Sequence, residues 1–181
     1  MVVAFAGRRI DAPNAPVARF PRGNARTVRD RIRAQLEGVA ADVLVSSAAC
    51  GADLLALDAA GELGIRRVVV LPWDRARFRD RSVIDRGIEW GPAFDRVIND
   101  VARCGDLRVV GATGQGNDPY LATNEAILET ANDVARSRPS FGDIVALVAW
   151  NGQPRGGEDV TEAFLIAARR RGLEVIEIAT L

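Results

Sequence analysis

Residues 42–71 read DVLVSSAACGADLLALDAAGELGIRRVVVL, and this stretch decides the fold class. It opens on an apolar run at 42–46 and passes through a row of small residues. A helical pattern over 50–63 follows, with Leu54, Leu55, Leu57 and Ala59 turned inward, and a second apolar run occupies 65–71. Short runs rich in valine suit strands covered on both faces, and Gly64 sits where a helix stop belongs. A strand, a tight turn, a helix and a second strand make the unit from which parallel sheets are built.

The same rhythm extends in both directions. Apolar runs at 2–6, 107–110, 144–150 and 173–178 bring the predicted strands to six. Helical spacing recurs at 27–39, where Val28, Ile32, Leu36 and Val39 share a stripe, and at 88–101, with Trp90, Phe94, Val97, Ile98 and Val101. Two more patterns, at 121–134 and 160–171, bring the predicted helices to five. The expectation is a single domain over residues 1–181. Its class is α/β, doubly wound and Rossmann-like, with a mostly parallel sheet of about six strands and helices on both faces. Residues 8–24 contain Pro13, Pro16 and Pro21 and are predicted to be a loop, long enough to suggest function.

Composition removes whole chemistries. The 181 residues include no histidine and no lysine, so all 24 basic residues are arginine, balanced by 24 acidic ones. Without lysine there is no Schiff base and no P-loop of the G-K-[ST] type. Without histidine there is no Ser-His-Asp triad and no histidine-ligated zinc. Cys50 and Cys104 lie too far apart in sequence for a metal knuckle, and no metal or cofactor is expected. No apolar run is long enough to span a membrane, and Met1 to Ala6 lacks the basic flank of a signal peptide. A cytoplasmic protein with no membrane partner is expected. The charges are unevenly spread: residues 8–33 hold eight arginines against two aspartates, whereas residues 105–165 are acidic. Arginine's planar fork pairs well with phosphate, so a small anionic ligand suits the basic segments. Zero net charge and the lack of a recognition motif argue against a nucleic-acid duplex.

In open α/β sheets ligands bind beyond the carboxyl ends of the strands. The first strand is followed by Gly7 and Arg8, and the second by Ser46, Ser47, Ala48, Ala49, Cys50, Gly51 and Asp53. Pro72 and Trp73 follow the third, with Arg79 and Ser82 a little further on, and Asn151 and Gly152 follow the fifth. The small-residue turn is the strongest of these signals, because backbone N–H groups at a helix start attract anions. The expected phosphate cradle is the N–H groups of Ala48, Ala49, Cys50 and Gly51, assisted by Ser47 and by Arg8 or Arg79. Ser46 or Ser47 is expected to cap the helix, and Gly51 to permit close approach. Small residues serve tight helix–sheet packing equally well. Gly7, Pro72 and Asn124 are candidates to hold the base or ribose, and Trp73 either stacks on the base or packs at the rim. Cys50 is either an activated thiol or a small buried residue. Asp53 either favours the helix start through the dipole or holds an arginine. Residues 111–117, GATGQGN, lack the G-x-G-x-x-G spacing and read as a weak phosphate signal or a surface loop.

Several of these residues recur in a known order. Gly7-Arg8-Arg9-Ile10-Asp11-Ala12-Pro13, Arg19-Phe20-Pro21, Ser46 to Asp53, Leu71-Pro72-Trp73, Phe78-Arg79, Ser82-Val83 and Asn124 with Ile127 resemble a bacterial, signalling-associated branch of the SLOG superfamily (Smf/DprA and LOG-like domains). The resemblance implies a Rossmann-like domain that binds nucleotides or their derivatives, with the phosphate on the turn from Ser47 to Asp53, and often a homodimer. Arg8 stands where that branch's opening motif carries histidine. LOG enzymes are phosphoribohydrolases with a P-G-G-x-G-T-x-x-E motif. The nearest stretch here, Pro154 to Glu162, lacks the second glycine-threonine and sets Glu162 one position short. The leading expectation is a cytoplasmic sensor or carrier of a nucleotide-like ligand. An N-ribosyl-transfer enzyme or phosphoribohydrolase using Glu125 or Glu162 is the alternative. A third possibility is an interaction module with a vestigial crevice, presenting Trp90 and Phe94.

Overall fold

The computed structural model describes residues 1–111, 118–137, 143–157 and 159–181. The six predicted strands form one sheet: β1 (Val2–Gly7), β2 (Val43–Ser46), β3 (Arg66–Leu71), β4 (Leu107–Val109), β5 (Ile144–Trp150) and β6 (Glu174–Ala179). Their order is β4-β3-β2-β1-β5-β6, and every pairing is parallel, from Phe5 opposite Ser46 to Gly7 opposite Ala149. The chain walks outward from β1 to β4, then crosses back to lay β5 on the other side of β1. The order therefore reverses between β1 and β5.

Alternation along the strands builds two cores, because successive side chains in a strand point to opposite faces. Val3, Phe5, Leu44, Val69 and Leu147 face the helices α1 (Ala25–Gly38), α2 (Ala52–Glu62) and α4 (Gly91–Arg103), to which α3 (Arg75–Ser82) adds Phe78. Val2, Ala4, Val45, Val70 and Val148 face α5 (Pro119–Ser137) and α6 (Val160–Arg170). The central strands β1, β2 and β5 are buried on both faces as expected. The edge strands are not: β4 and most of β6 are open to solvent, since each has a neighbour on one side only.

One helix, α3, escapes the sequence pattern. Its eight residues carry a single large apolar side chain, Phe78, so no stripe appears; Asp74 starts it by accepting the Arg77 N–H at 3.0 Å. Phe78 then stacks on Phe94 with ring centroids 6.0 Å apart. Phe94 is fully buried and Trp90 packs partly against the same core, so the face expected of an interaction module is largely occupied. Among the described residues, no helix is long and apolar enough to cross a membrane.

The small-residue turn after β2 proves to be a packing device. A Cβ on Gly51 would lie 2.5 Å from the Ile10 nitrogen and 2.8 Å from the Arg8 carbonyl oxygen, and its φ of +106° is closed to ordinary side chains. A Cβ on Gly7 would lie 2.4 Å from that of Ala52. The two glycines let the start of α2 press against the end of β1, where Arg9 and Gly51 form an antiparallel bridge. Gly51→Ala is expected to lose roughly 1–3 kcal/mol to backbone strain and a further ~1–3 kcal/mol to overpacking. Urea unfolding checks this, and a variant as stable as the parent would contradict the packing role.

Candidate functional site

A cleft of about 200 Å³ opens at the carboxyl ends of β1 and β2, beside the point where strand order reverses. Ligands in doubly wound sheets gather at such a point. Gly7 and Arg9 enter from the end of β1, and Ser47, Ala49 and Asp53 from the turn after β2. Tyr120, Thr123 and Asn124 come from the start of α5, and Arg155, Asp159 and Thr161 from the loop after β5 and the start of α6. Three helix N-termini therefore meet at one cleft, each bringing partial positive charge. Phe5, Phe78 and Ile127 supply its apolar surface.

Asp159 and Arg8 form its frame. Arg8 is wholly buried and does not itself line the cleft. Its guanidinium reaches Asp159 Oδ1 at 2.5 Å, Asn151 Oδ1 at 3.2 Å and the Gln153 carbonyl at 2.8 Å, so all three nitrogens are engaged. Asp159 caps α6 by accepting the N–H groups of Thr161 and Glu162, and its Oδ2 takes the Arg155 N–H at 2.9 Å. Burial pushes this carboxyl up, but the hydrogen bonds from Arg8 and the backbone offset it and hold Asp159 below the usual range. Arg19 binds the same loop through the carbonyls of Gln153 and Pro154.

Two of the four N–H groups of the expected phosphate cradle are engaged within the chain. Ala49 donates its N–H to Asp53 Oδ2 at 3.2 Å, and Cys50 donates to the Ser82 carbonyl at 2.9 Å. No side chain caps α2, so neither Ser46 nor Ser47 does so; the N-cap is Gly51. Ser46 and Ala48 are buried, and Ser47 alone of that pair of serines reaches the cleft. Cys50 is buried, with desolvation raising its thiol against the pull of Arg9, so it is not activated. Arg79 grips Asp95 through Nε and Nη2 and lies off the cleft. Ser82 contributes indirectly, its hydroxyl 2.9 Å from that of Tyr120. Pro72 and Gly152 do not line the cleft, and Arg77 covers the Trp73 ring at 4.4 Å. Glu125 is exposed and paired with Arg171 at 2.6 Å, and Glu162 also lies off the cleft. The expected signal at 111–117 falls almost wholly outside the described residues.

Gly7, Ser47, Ala49, Asp53 and Asn124 are thus brought together, with Asn124 donating to the Val160 carbonyl at 2.8 Å. Sequence reasoning missed Arg9, Tyr120, Thr123, Arg155, Asp159 and Thr161 as cleft residues. The available signal was position: each follows a strand or begins a helix. Arg9 bridges Asp85 and the Cys50 sulfur, while its buried Nε has no partner among the described residues. Arg155 pairs with no carboxylate among the described residues; burial and the nearby charges of Arg8, Arg19 and Arg86 lower its pKa. Among the described residues, no three acidic or cysteine side chains cluster as metal ligands would. Compared with known proteins, the chain matches no family model and no curated sequence.

Asp53 is the unusual carboxyl. It is 6% exposed, and burial raises its pKa to about 7 although the N–H groups of Ala49 and Gly7 and the charge of Arg9 pull it down. The folded protein therefore favours the protonated acid. That contribution is complete below the ordinary carboxylate range and is lost as pH rises through about 7. Relative to Asp53→Asn, which does not titrate, the parent is expected to lose up to about 4 kcal/mol between pH ~4 and pH ~8. Parallel stability curves in urea would contradict the raised value. Arg8→Ala, which strands Asp159 in the interior, is expected to cost about 3–5 kcal/mol in the same assay.

Proposed function

We propose that this chain binds a nucleotide or nucleotide derivative in the cleft beside the β1–β5 reversal and serves as a ligand sensor or carrier. One observation carries the reading. At that cleft three helix starts converge with two arginines, Arg9 and Arg155, whose charge is not fully used among the described residues. Arginine forks and helix N-termini are the groups that recognise phosphate. Tyr120, with the almost wholly buried Phe5, Phe78 and Ile127 also in the lining, suits a base or sugar face.

The phosphate contact moves accordingly, from the turn after β2 to Arg155 and Arg9, which line the same cleft. The resemblance to SLOG domains points the same way and remains part of this proposal. The hydrolase alternative is disfavoured because Glu125 and Glu162, the carboxylates it relied on, lie away from the cleft.

Mass spectrometry of small molecules retained after equilibration with a mixed nucleotide panel tests the proposal. An intact nucleotide is the expected result, with retention reduced roughly tenfold or more in Arg155→Ala, the loss of one charge-assisted contact. Release of free base would replace the carrier reading with hydrolysis. Nothing retained and nothing consumed would overturn nucleotide binding.

A further inference from the structure

Among the described residues, Asp53 is the one buried carboxyl in the cleft with an oxygen to spare. Asp159, the other carboxyl there, has both oxygens committed to Arg8 and to three backbone N–H groups. Asp53 uses Oδ2 for the Ala49 N–H; the Gly7 N–H also acts on the carboxyl, yet the buried Oδ1 has no hydrogen bond of normal geometry among the described residues. A lone acceptor held out of water costs free energy until something donates to it. The charge that acts on it is Arg9, itself paired with Asp85, and Tyr120, Arg155 and the neutralised Asp159 line the same cleft. None of these reaches Oδ1.

We infer that Asp53 Oδ1 is the specificity element of the cleft, accepting a hydrogen bond from a hydroxyl or N–H donor on the ligand while the arginines take its anionic end. This rests on the nucleotide-binding reading and adds to it the requirement that the ligand present a donor to the cleft floor. A sugar hydroxyl and a base amine offer the same chemistry. Because a donor favours the ionised carboxylate, docking also expels the proton that Asp53 carries near neutral pH.

Calorimetry with the common nucleoside 5′-monophosphates, in two buffers of different ionisation heat, reads both effects. Each binder is compared with its 2′,3′-dideoxy analogue and, where it has one, with the analogue lacking the exocyclic amine. One of these analogues is expected to bind the parent protein about tenfold or more weakly, the range of a hydrogen bond to a charged group. A dideoxy loss assigns the donor to the sugar, and an amine loss to the base. At pH ~7 binding is expected to release roughly half a proton more from the parent than from Asp53→Asn. In that variant the amide oxygen must stay on the Ala49 N–H, which turns the amide nitrogen toward the cleft. An acceptor becomes a donor, and discrimination is lost. If both analogues bind the parent as well as the nucleotide does, and no extra proton is released, Asp53 is merely structural and the inference fails while nucleotide binding stands. If no nucleotide binds, both fail together. The comparison within the parent protein does not depend on the variant folding.

Discussion

The buried pair between Arg8 and Asp159 joins two parts of the chain 151 residues apart, and the cleft exists because of it. One partner ends the first strand; the other starts the last helix. They meet across the point where the sheet reverses its order, joining the loops that follow the paired ends of β1 and β5. A charged pair in the interior is stable only when its remaining donors and acceptors are satisfied. Here Asn151, the Gln153 carbonyl and the backbone of α6 supply those partners. Arg155 is carried on the loop so anchored, and its own N–H is one of the bonds that holds it.

This division of labour explains why so much of the polar machinery at the strand ends is silent. Arg8 and Arg79 neutralise carboxylates, and the N–H groups of Ala49, Cys50 and Ala52 close local bonds. Gly7 and Gly51 bring backbone to backbone rather than backbone to ligand. Among the described residues, what the fold leaves over in the cleft is the exposed guanidinium of Arg155, the Nε of Arg9 and one carboxylate oxygen of Asp53. Arg9 Nε and Asp53 Oδ1 are already desolvated, so a ligand that satisfies them gains the most, and Arg155 adds an exposed charge.

The sheet was legible because its strands are short apolar runs separated by turns, a pattern with few alternatives. α3 was not, because Phe78 alone cannot make a period. The exposure of β4 and β6 follows from their edge positions, which depend on strand order and not on their own residues. Within the site, Gly7, Ser47, Ala49, Asp53 and Asn124 could be named from where they fall after strands and at helix starts. Arg8 was named where Arg9 is the one that lines the cleft. They are neighbours in an extended segment, so their side chains point to opposite sides, and only the distant Asp159 and Asp85 decide which one is consumed inside. Asp159 and Arg155 lay in a stretch read for a catalytic glutamate, and the pairing of Asp159 with Arg8, 151 residues away, is a long-range fact that no local motif encodes.

The central claim is that the anchored cleft, and no other surface, receives a nucleotide-like anion. The most direct test is amide chemical-shift mapping by NMR while nucleoside mono- and diphosphates, linear and cyclic, are added in turn. The expected result is saturable shifts confined to Gly7, Ser47, Ala49, Asn124, Arg155 and Thr161 and their immediate neighbours. Shifts centred elsewhere on the molecule, or none with any member of the panel, would contradict the account.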